Sequence, residues 1–470
     1  RRMNEKLSDF LNKNYPDSKT DTCTSFMELE HLIKQNGYLA MINQHSWMFT
    51  SSFEALREKL IENKTIYSML HLGAGTFEEI DGEVVQSTAF VLRNCAIDNF
   101  MGTYIRLVEF NTKEKDLKAI EAAQNPKTNY RYCRNIKSFT QILEKPIAYW
   151  ISDNLLKAFK VGTPVGIIAE PKAGLSTGDN AYFQKEWFEV EFAKIGFDYH
   201  SVQETENGKH KWFPCNSGGT YRKWYGNNEV VVNWEKNGEE IKNFKAENGK
   251  LRSRPQNTHY YFREGLTWTK ISSGRFAVRY KDSGFIFDDT GRSAFTDDTT
   301  LTKLLVGLFC SKLALEVLKI LNPTMSFTNG DIYRIPFLKE AVYSYKNEIT
   351  SLVNDNIAIS KKEWDSFEIS WDFIGHPLIE YQYGANLIEE ALNNWSRVTN
   401  EWFYCMKKNE EELNRLFLNI YSLQEELLPT IDEEDITLRR ANKDREIRSF
   451  ISYAVGCMFG RYSLGEEGLI

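Results

Sequence analysis

Apolar positions follow two different periods over the first 94 residues, one typical of helices and one typical of buried strands. The predicted helices are 20–35 and 53–63, and the predicted strands are 38–43, 66–72 and the end of 82–93. Gly37 is a stop signal after the first helix, and Asp81-Gly82 predicts a turn before the last strand. This order predicts the closing half of an open α/β sheet, too short for a complete doubly wound domain. We therefore expect the chain to begin partway through such a domain.

The pattern changes twice beyond residue 94. Residues 95–150 are mixed and charged, which predicts a connecting segment with some helix. From about 151, Gly, Asn, Ser and aromatic residues dominate, and short alternating runs predict strands at Glu229–Trp234, Arg275–Tyr280 and Gly284–Phe287. Residues 300–321 predict one amphipathic helix stopped by Asn322-Pro323, and from about 339 the chain is again helical, most clearly over 401–427. The predicted domains are therefore 1–94, 95–150 as a connection, 151–338 and 339–470.

Composition excludes several classes of protein. The chain has 470 residues, of which 42% are hydrophobic and 26% charged, as in a folded protein, and it has no apolar run of membrane-spanning length. The seven cysteines are scattered without a CxxC pair, which predicts reduced thiols and a cytoplasmic protein. The seven histidines show no metal-binding spacing, so we expect no structural metal. The acidic run Asp432–Asp435 is interpreted as a solvated loop in preference to a metal site.

Positive charge is concentrated in one part of a chain whose formal net charge is −7. Residues 211–280 carry 13 Lys and Arg against 6 Asp and Glu. Five of the eleven tryptophans lie in or beside this stretch, at positions 187, 212, 224, 234 and 268. A basic, aromatic-rich region is typical of a nucleic-acid-binding surface. A solvated charged face over a Trp-rich core is an equally good interpretation of the same composition.

Two loops follow predicted strands, at the sheet edge where α/β proteins usually bind ligands. The first, residues 44–53 (QHSWMFTSSF), is either a site or only a turn. The second, Leu72–Phe77 (LGAGTF), contains a single GxG, which is weak evidence for a nucleotide site and is better interpreted as a tight turn.

Several segments taken in order resemble the second half of adenine-specific DNA methyltransferases. They are FMELEHLIKQNGYLAMINQHSWMFTSSFEALREKLIENKTI, then LHLGAGTF, then VVQSTAFVLRN. In that family a strand is followed by a turn of the form P-x-x-W/F, where this chain has Gln44 in place of proline. A helix with an L-R-x-x-L core follows, matched here by Leu56-Arg57 and Leu60.

Later segments resemble the target-recognition domains of single-chain restriction-modification enzymes. They are GLSTGDN at 174–180, GGTYRKWYG at 218–226, TWTKISSG at 267–274, NPTMSFTNGDI at 322–332 and the tail RSFISYAVGCMFGRYSL at 448–464. Their number and order are similar to the C-terminal part of the adenine methyltransferases of BREX phage-defence systems. The resemblance covers nearly the whole chain.

The resemblance implies a fold and half of an active site. The fold would be α/β, with the C-terminal half of a Rossmann-like methyltransferase sheet followed by a mixed α+β target-recognition domain and a helical C-terminal region. Phe53 falls where the family places an aromatic against the flipped adenine, with Trp47 beside it; an aromatic wall compensates for lost base stacking. The alternative makes Phe53 a core residue of its helix and Trp47 a lid over the sheet.

The family's glycine-rich cofactor motif and its Asn/Asp-Pro-Pro-Tyr/Phe motif are both absent from these 470 residues. Binding of S-adenosylmethionine and catalysis would then belong to a longer parent protein. We expect this fragment to bind no cofactor and to be inactive by itself. We also expect no metal, because direct methyl transfer to the base does not need one.

The resemblance implies double-stranded DNA as the main partner, with other BREX proteins as further candidates and no membrane. Side chains suited to reading base edges or phosphates lie in the basic stretch. The predicted DNA-binding residues are Arg222, Lys223, Arg252, Arg254, Gln256, Asn257, His259, Arg275 and Arg279. The run from Arg252 to His259 is favoured for base contacts because Pro255 predicts an exposed turn, whereas Arg275 and Arg279 fit a structural role equally well. A non-catalytic DNA specificity module and a restriction enzyme fused to its methylase are the alternatives.

Overall fold

The computed structural model describes residues 3–77, 85–272, 275–322 and 326–469. The predicted turn at Asp81-Gly82, Gly274 of the recognition motif and the predicted stop at Pro323 lie outside these residues. Contacts divide the chain into two compact units. The first comprises Arg1–Val161 with Lys319–Pro323, and the second comprises Gly162–Leu318 with Thr324–Ile470.

The first unit is built on a five-stranded sheet in the order β1-β3-β2-β4-β5. Its strands are β1 Tyr38–Gln44, β2 Thr65–Gly73, β3 Ser87–Arg93, β4 Met101–Arg106 and β5 Arg131–Asn135. Its helices are α1 Glu5–Asn14, α2 Thr22–Ser25, α3 Glu54–Asn63, α4 Lys115–Gln124 and α5 Asp153–Val161. Strand β3 is antiparallel to β1 and β2, while β2 and β4 are parallel. The carboxyl ends of β1, β2 and β4 therefore lie at the same edge of the sheet.

The strands predicted over the first 94 residues are confirmed, whereas two other predictions need correction. The helix predicted at 20–35 is only α2 followed by a 3-10 segment, Phe26–Leu32, because Leu29 leaves helical geometry at ψ 21°. Residues 95–150, predicted as a connection, contribute β4 and β5 to the same sheet, with α4 between them.

The second unit contains two four-stranded sheets and one short strand pair. Its strands are β6 Thr163–Pro164, β7 Glu170–Lys172, β8 Gln184–Glu186, β9 Trp212–Asn216, β10 Val230–Asn233, β11 Gly265–Thr269, β12 Val278–Lys281, β13 Ile286–Phe287, β14 Gly291–Phe295 and β15 Pro336–Phe337. The sheet orders are β13-β9-β10-β8, β12-β11-β14-β7 and β15-β6. All three strands predicted in this region have observed counterparts, β10, β12 and β13.

The second unit also contains helices. They are α6 Val165–Ile168, α7 Asn180–Phe183, α8 Glu235–Lys242, α9 Thr299–Cys310, α10 Lys312–Leu321, α11 Asn329–Tyr333, α12 Lys339–Ser344, α13 Lys346–Asp365, α14 Pro377–Glu380, α15 Ile388–Ile420 and α16 Lys443–Met458. Residues 319–321, at the end of helix α10, are grouped with the first unit by their contacts. The single helix predicted at 300–321 is interrupted at Ser311, which adopts extended backbone angles. Asn414 of α15 accepts a hydrogen bond from the Lys312 N–H at 2.9 Å and so caps the second piece.

Four of the five tryptophans in or beside the basic stretch belong to the interior of the second unit. Trp187, Trp224, Trp234 and Trp268 are between 0 and 3% exposed. Trp234 packs edge-on against Tyr261 at 5.2 Å, within an aromatic cluster that also contains Phe213 and Phe287. For these side chains, the structure supports a Trp-rich core and not a stacking surface for bases.

Candidate functional site

The loop after β1 consists of two 3-10 turns, His45–Met48 and Ser51–Phe53, held in place by Arg57 of α3. The Arg57 side chain is fully buried and donates to the backbone carbonyls of Trp47 at 2.9 Å and Thr50 at 2.7 Å. It also donates twice to the Glu144 carbonyl, at 2.7 and 3.0 Å. Hydrogen bonds to a charged donor are strong, so the arginine of the L-R-x-x-L core fixes the loop's conformation.

Phe53 and Trp47, the predicted walls of the adenine pocket, lie inside the first unit. Phe53 is 2% exposed and Trp47 is 0% exposed, and both belong to the main apolar cluster beneath the sheet. The Trp47 ring meets Phe90 edge-on with centroids 5.3 Å apart. Contact between a base and either ring would therefore require the loop at 45–53 to open.

The loop after β2 presents an exposed aromatic at the same edge of the sheet. Phe77 is 46% exposed, and the preceding turn has two glycines in the left-handed region, Gly73 at φ +69° and Gly75 at φ +64°. The Lys115 ammonium donates to the carbonyls of Leu72, at 2.6 Å, and Ala74. Burial lowers the pKa of Lys115.

The Gly73-Ala74-Gly75 turn does not fit a cradle for a cofactor. A Cβ on Gly73 would meet Val108 at 2.9 Å, and a Cβ on Gly75 would meet the Thr112 hydroxyl. The volume freed by each missing side chain is thus filled by the segment that precedes α4. This arrangement supports the interpretation of a tight turn.

Two buried histidines join the ends of β1 and β2. His45 Nδ1 lies 2.8 Å from His71 Nε2, and His71 Nδ1 lies 3.0 Å from the Tyr149 hydroxyl. Burial, reinforced by the charge of Arg106, lowers the pKa of His45 to about 4 and that of His71 well below its usual value. Both imidazoles are therefore neutral near pH 7 and act as hydrogen-bonding groups that join the two strand ends.

Arg106 extends this cluster to the end of β4. Its guanidinium lies 4.5 Å from the centre of the Trp150 ring and 3.1 Å from the Glu109 carboxylate. Its side chain remains 22% exposed. No local pattern in the sequence singles out His71, Arg106 or Trp150, because their proximity depends on the order of the strands in the sheet.

Three of the predicted DNA-contacting residues are buried and engaged within the second unit. Arg222 pairs with Glu363 at 2.5 Å, and Lys223 pairs with Glu410 at 2.6 Å. Arg279 is 1% exposed, donates to the Gly218 carbonyl at 3.2 Å, and has its pKa lowered by burial to about 10. We remove Arg222, Lys223 and Arg279 from the DNA-contacting candidates, because their charged groups already have internal partners or are shielded from solvent.

Arg275 is partly exposed and satisfied by the acidic run. Its side chain is 39% exposed and pairs with Asp435 at 2.8 Å and Glu434 at 3.4 Å. Glu433 of the same run pairs with Arg440 at 2.9 Å. These carboxylates thus take part in ion pairs with arginines. Among the residues that the structure describes, no group of three His, Cys, Asp or Glu side chains is placed to hold a metal ion.

The segment from Arg252 to His259 is brought together with the GLSTG motif. Ser176 forms a backbone bridge with Arg254, and the Asn257 amide donates to the Ala173 carbonyl at 2.9 Å. The Gln256 amide donates to the Gly174 carbonyl at 3.4 Å. Gln256 and Asn257 are half-buried and hold the two segments together.

The arginine and histidine side chains of this segment face solvent. Arg252, Arg254 and His259 are exposed, as are Lys245 and Lys250 in the turn just before them. Arg252 also donates to the Gly178 carbonyl at 3.0 Å. We call Lys245, Lys250, Arg252, Arg254 and His259 the basic surface. Its two lysines were missed because the sequence shows only their local charge, not their exposure.

Comparison with known proteins shows which proteins the chain is similar to. A family model described as Eco57I restriction-modification methylase matches residues 1–77. Along its whole length the chain is 42% identical to the adenine-specific methyltransferase PglX of Lacticaseibacillus casei (strain Zhang), covering 39% of that protein. It is 34% identical to the adenine-specific methyltransferase BrxX of Escherichia coli O9:H4 (strain HS), covering 38% of that protein. The chain thus spans about two fifths of the length of these relatives.

Among solved structures, the chain is similar to the Type IIL restriction-modification enzyme MmeI in complex with DNA. The TM-score is 0.51 at 9% identity, over 97% of this chain and 56% of the other, so the likeness concerns the fold alone. No described helix is both long enough and apolar enough to cross a membrane. The mixed α/β fold and the two sequence matches confirm the predicted resemblance: over its entire length this chain is similar to part of the PglX and BrxX adenine-specific methyltransferases.

Proposed function

We propose that this chain supplies the DNA target-recognition part, and one side of the adenine-binding region, of an adenine-specific DNA methyltransferase in phage defence. The observation that carries the proposal is the exposed basic surface, which lies on the second unit of a chain 42% identical to PglX. Positive side chains on an otherwise acidic protein restrict contact with a polyanion to one region. The proposed main partner is double-stranded DNA, and other BREX proteins are further candidate partners.

The methyl donor in this proposal is S-adenosylmethionine, held by parts of a full-length protein outside these residues. Two observations support this division. The chain lacks the cofactor and Asn/Asp-Pro-Pro-Tyr/Phe motifs, and its single GxG turn has no free volume beside the glycines. We accordingly propose that the 470-residue chain alone transfers no methyl group.

At the sheet edge, the role proposed for the first unit is to receive the flipped adenine. The exposed Phe77 is better placed for stacking than the buried Phe53 or Trp47, because a base reaches it without moving the core. Stacking on an aromatic side chain is worth about 1–3 kcal/mol per base. In this proposal the buried side chains of Phe53 and Trp47 support the loop after β1 and do not contact the base.

The basic surface is tested by duplex binding at several salt concentrations. We expect an Arg252→Ala/Arg254→Ala variant to bind more weakly and to lower the slope of log affinity against log salt by about 1–2, because each lost phosphate contact removes about one released counterion. The matched control is Arg397→Ala/Arg415→Ala, which removes two exposed arginines from α15. Equal affinity and slope for both double variants and the unmodified chain would remove the proposed surface.

A further inference from the structure

The loop between β9 and β10, residues 217–229, contains the GGTYRKWYG motif and has an unusual conformation. Trp224 at φ 70° and Asn227 at φ 56° occupy the left-handed region although neither is glycine. Such a backbone persists only where surrounding contacts determine it. Arg222 and Lys223 lie between the tip and these positions, and both side chains point into the protein.

Glu410, in the middle of α15, uses both carboxylate oxygens on this loop. Oε2 accepts from the Lys223 ammonium at 2.6 Å, and Oε1 accepts from the Trp224 indole N–H at 2.7 Å. The side chains of Lys223 and Glu410 are 7 and 1% exposed. Removal of one charge from such a pair leaves the other charge buried without compensation. Loss of Glu410 should therefore disturb the loop more than loss of a surface ion pair would.

Glu363, near the end of α13, holds the same loop from a second helix. One carboxylate oxygen accepts from Arg222 at 2.5 Å, and the other accepts from Arg439. Arg222 also donates to the carbonyl of Tyr225, which receives a further bond from the Ser360 hydroxyl at 3.1 Å. The two helices therefore fix the inner part of the loop through two separate buried carboxylates.

The outer part of the loop is a short exposed tip, Gly219–Thr220. The Asn227 amide donates to the Thr220 carbonyl at 2.9 Å, and the Thr269 hydroxyl donates to the Gly219 carbonyl at 3.3 Å. Within the described part of the chain, neither tip N–H donates to another protein group. The tip thus offers solvent a hydroxyl and two backbone donors, which suit phosphate and base-edge acceptors.

Asp288 connects the first residue of this loop, Ser217, to the basic surface. It accepts from the hydroxyls of Ser217 and of Thr290, the latter at 2.7 Å. Its backbone forms a bridge with Leu175, and the adjacent Ser176 forms a bridge with Arg254. A chain of direct contacts therefore links the start of the loop to the segment of the proposed DNA surface.

We propose that Glu363 and Glu410 are positioning residues for target selection: they hold the loop at 217–229 so that its tip, Gly219–Thr220, contacts the target duplex. This proposal rests on the proposed DNA-recognition function. The predicted helical region 339–470 would then help to determine specificity, although its two carboxylates never touch DNA. Net affinity would come from the basic surface, and discrimination between sequences would depend on the tip.

The test uses the full-length protein, a pool of duplexes with a random 12-base-pair core, and amide hydrogen exchange. We expect Glu410→Gln to speed exchange over 217–228 and to reduce enrichment of the selected motif about tenfold, with total duplex binding changed less than twofold. The matched control is Glu401→Gln, which alters an exposed glutamate on the same helix. A Lys223→Met/Glu410→Gln double variant, which removes the uncompensated charge, should recover slow exchange.

A second variant tests the tip without altering the buried contacts that hold the loop. Thr220→Ala alters only the exposed tip and should weaken motif enrichment without changing exchange in the loop. The proposal is overturned if Glu410→Gln keeps slow exchange, if faster exchange leaves enrichment unchanged, or if Thr220→Ala selects the same motif as strongly as the unmodified protein. Failure of the unmodified protein to bind or select any duplex would instead refute the proposed function.

Discussion

Buried histidines and a buried arginine determine the shape of the sheet edge in the first unit. His45 and His71 share a hydrogen bond between the ends of two strands, and Arg57 ties the carbonyls of the loop after β1 to its own helix. Each is a polar group removed from water whose hydrogen bonds are made inside the protein. At the scale of residues, the titratable and charged side chains that resemble catalytic groups in this part of the chain therefore have a structural role.

The histidine pair predicts how stability depends on pH. The pKa of His45 is lowered to about 4, against about 6.5 in an unfolded chain, so the unfolded state binds a proton first as the pH falls. The stabilisation is complete above pH 6.5 and is lost between pH 6.5 and 4; for His45 it amounts to on the order of 3 kcal/mol.

Urea unfolding at pH 7.5, 5.5 and 4.5 measures this dependence. A His45→Gln/His71→Gln variant should be less stable at pH 7.5 and should lose less stability on acidification than the unmodified chain. His200→Gln removes an exposed histidine and is the control. Identical pH profiles for the unmodified chain and the double variant would show that the pair does not govern acid stability.

Helices and strands with strong apolar periodicity were predictable from the sequence, whereas elements that depend on distant residues were not. Strands β1 and β2 and helix α3 follow directly from local spacing. The break at Ser311 depends on Asn414, more than 100 residues away, which caps the following helix. Strand β4 is short and partly exposed, so its pairing with β2 had no local signal.

The same distinction applies to the candidate site. The exposed turn around Arg252–His259 was predictable because Pro255 and its polar neighbours favour such a turn locally. The inward direction of Arg222 was not, because it depends on Glu363, which lies 141 residues later. The sequence alone does not show whether a charged residue in a motif contacts DNA or a buried carboxylate.

At the scale of elements, α3 is predicted to support the loop after β1 through one side chain. Arg57→Met removes the donor to the carbonyls of Trp47, Thr50 and Glu144, and should destabilise the first unit by about 3 kcal/mol, since buried acceptors are left unpaired. Amide exchange over 45–53 should become markedly faster.

Lys59→Met is the matched control, because Lys59 lies on the same helix with its side chain 51% exposed. It should leave exchange in the loop unchanged. Equal protection of residues 45–53 in the Arg57 and Lys59 variants would contradict a role for Arg57 in fixing the loop.

At the scale of the whole molecule, the proposed function divides the work of a methyltransferase between parts of the protein. The first unit presents an edge with an exposed aromatic, and the second presents a basic surface and a braced loop tip. The chain spans about two fifths of PglX and BrxX, so methyl transfer is proposed only for a full-length protein. Sequence selection would then belong to residues of this chain, and methyl transfer to other residues of a full-length protein.

The most direct test maps N6-methyladenine in the DNA of cells that express the full-length protein, by single-molecule sequencing. The unmodified protein and the Arg397→Ala/Arg415→Ala control are predicted to methylate adenine in one defined motif. Arg252→Ala/Arg254→Ala is predicted to lose much of the methylation of that motif, at an equal protein level. Unchanged methylation of the same motif by Arg252→Ala/Arg254→Ala would contradict the assignment of target recognition to this surface.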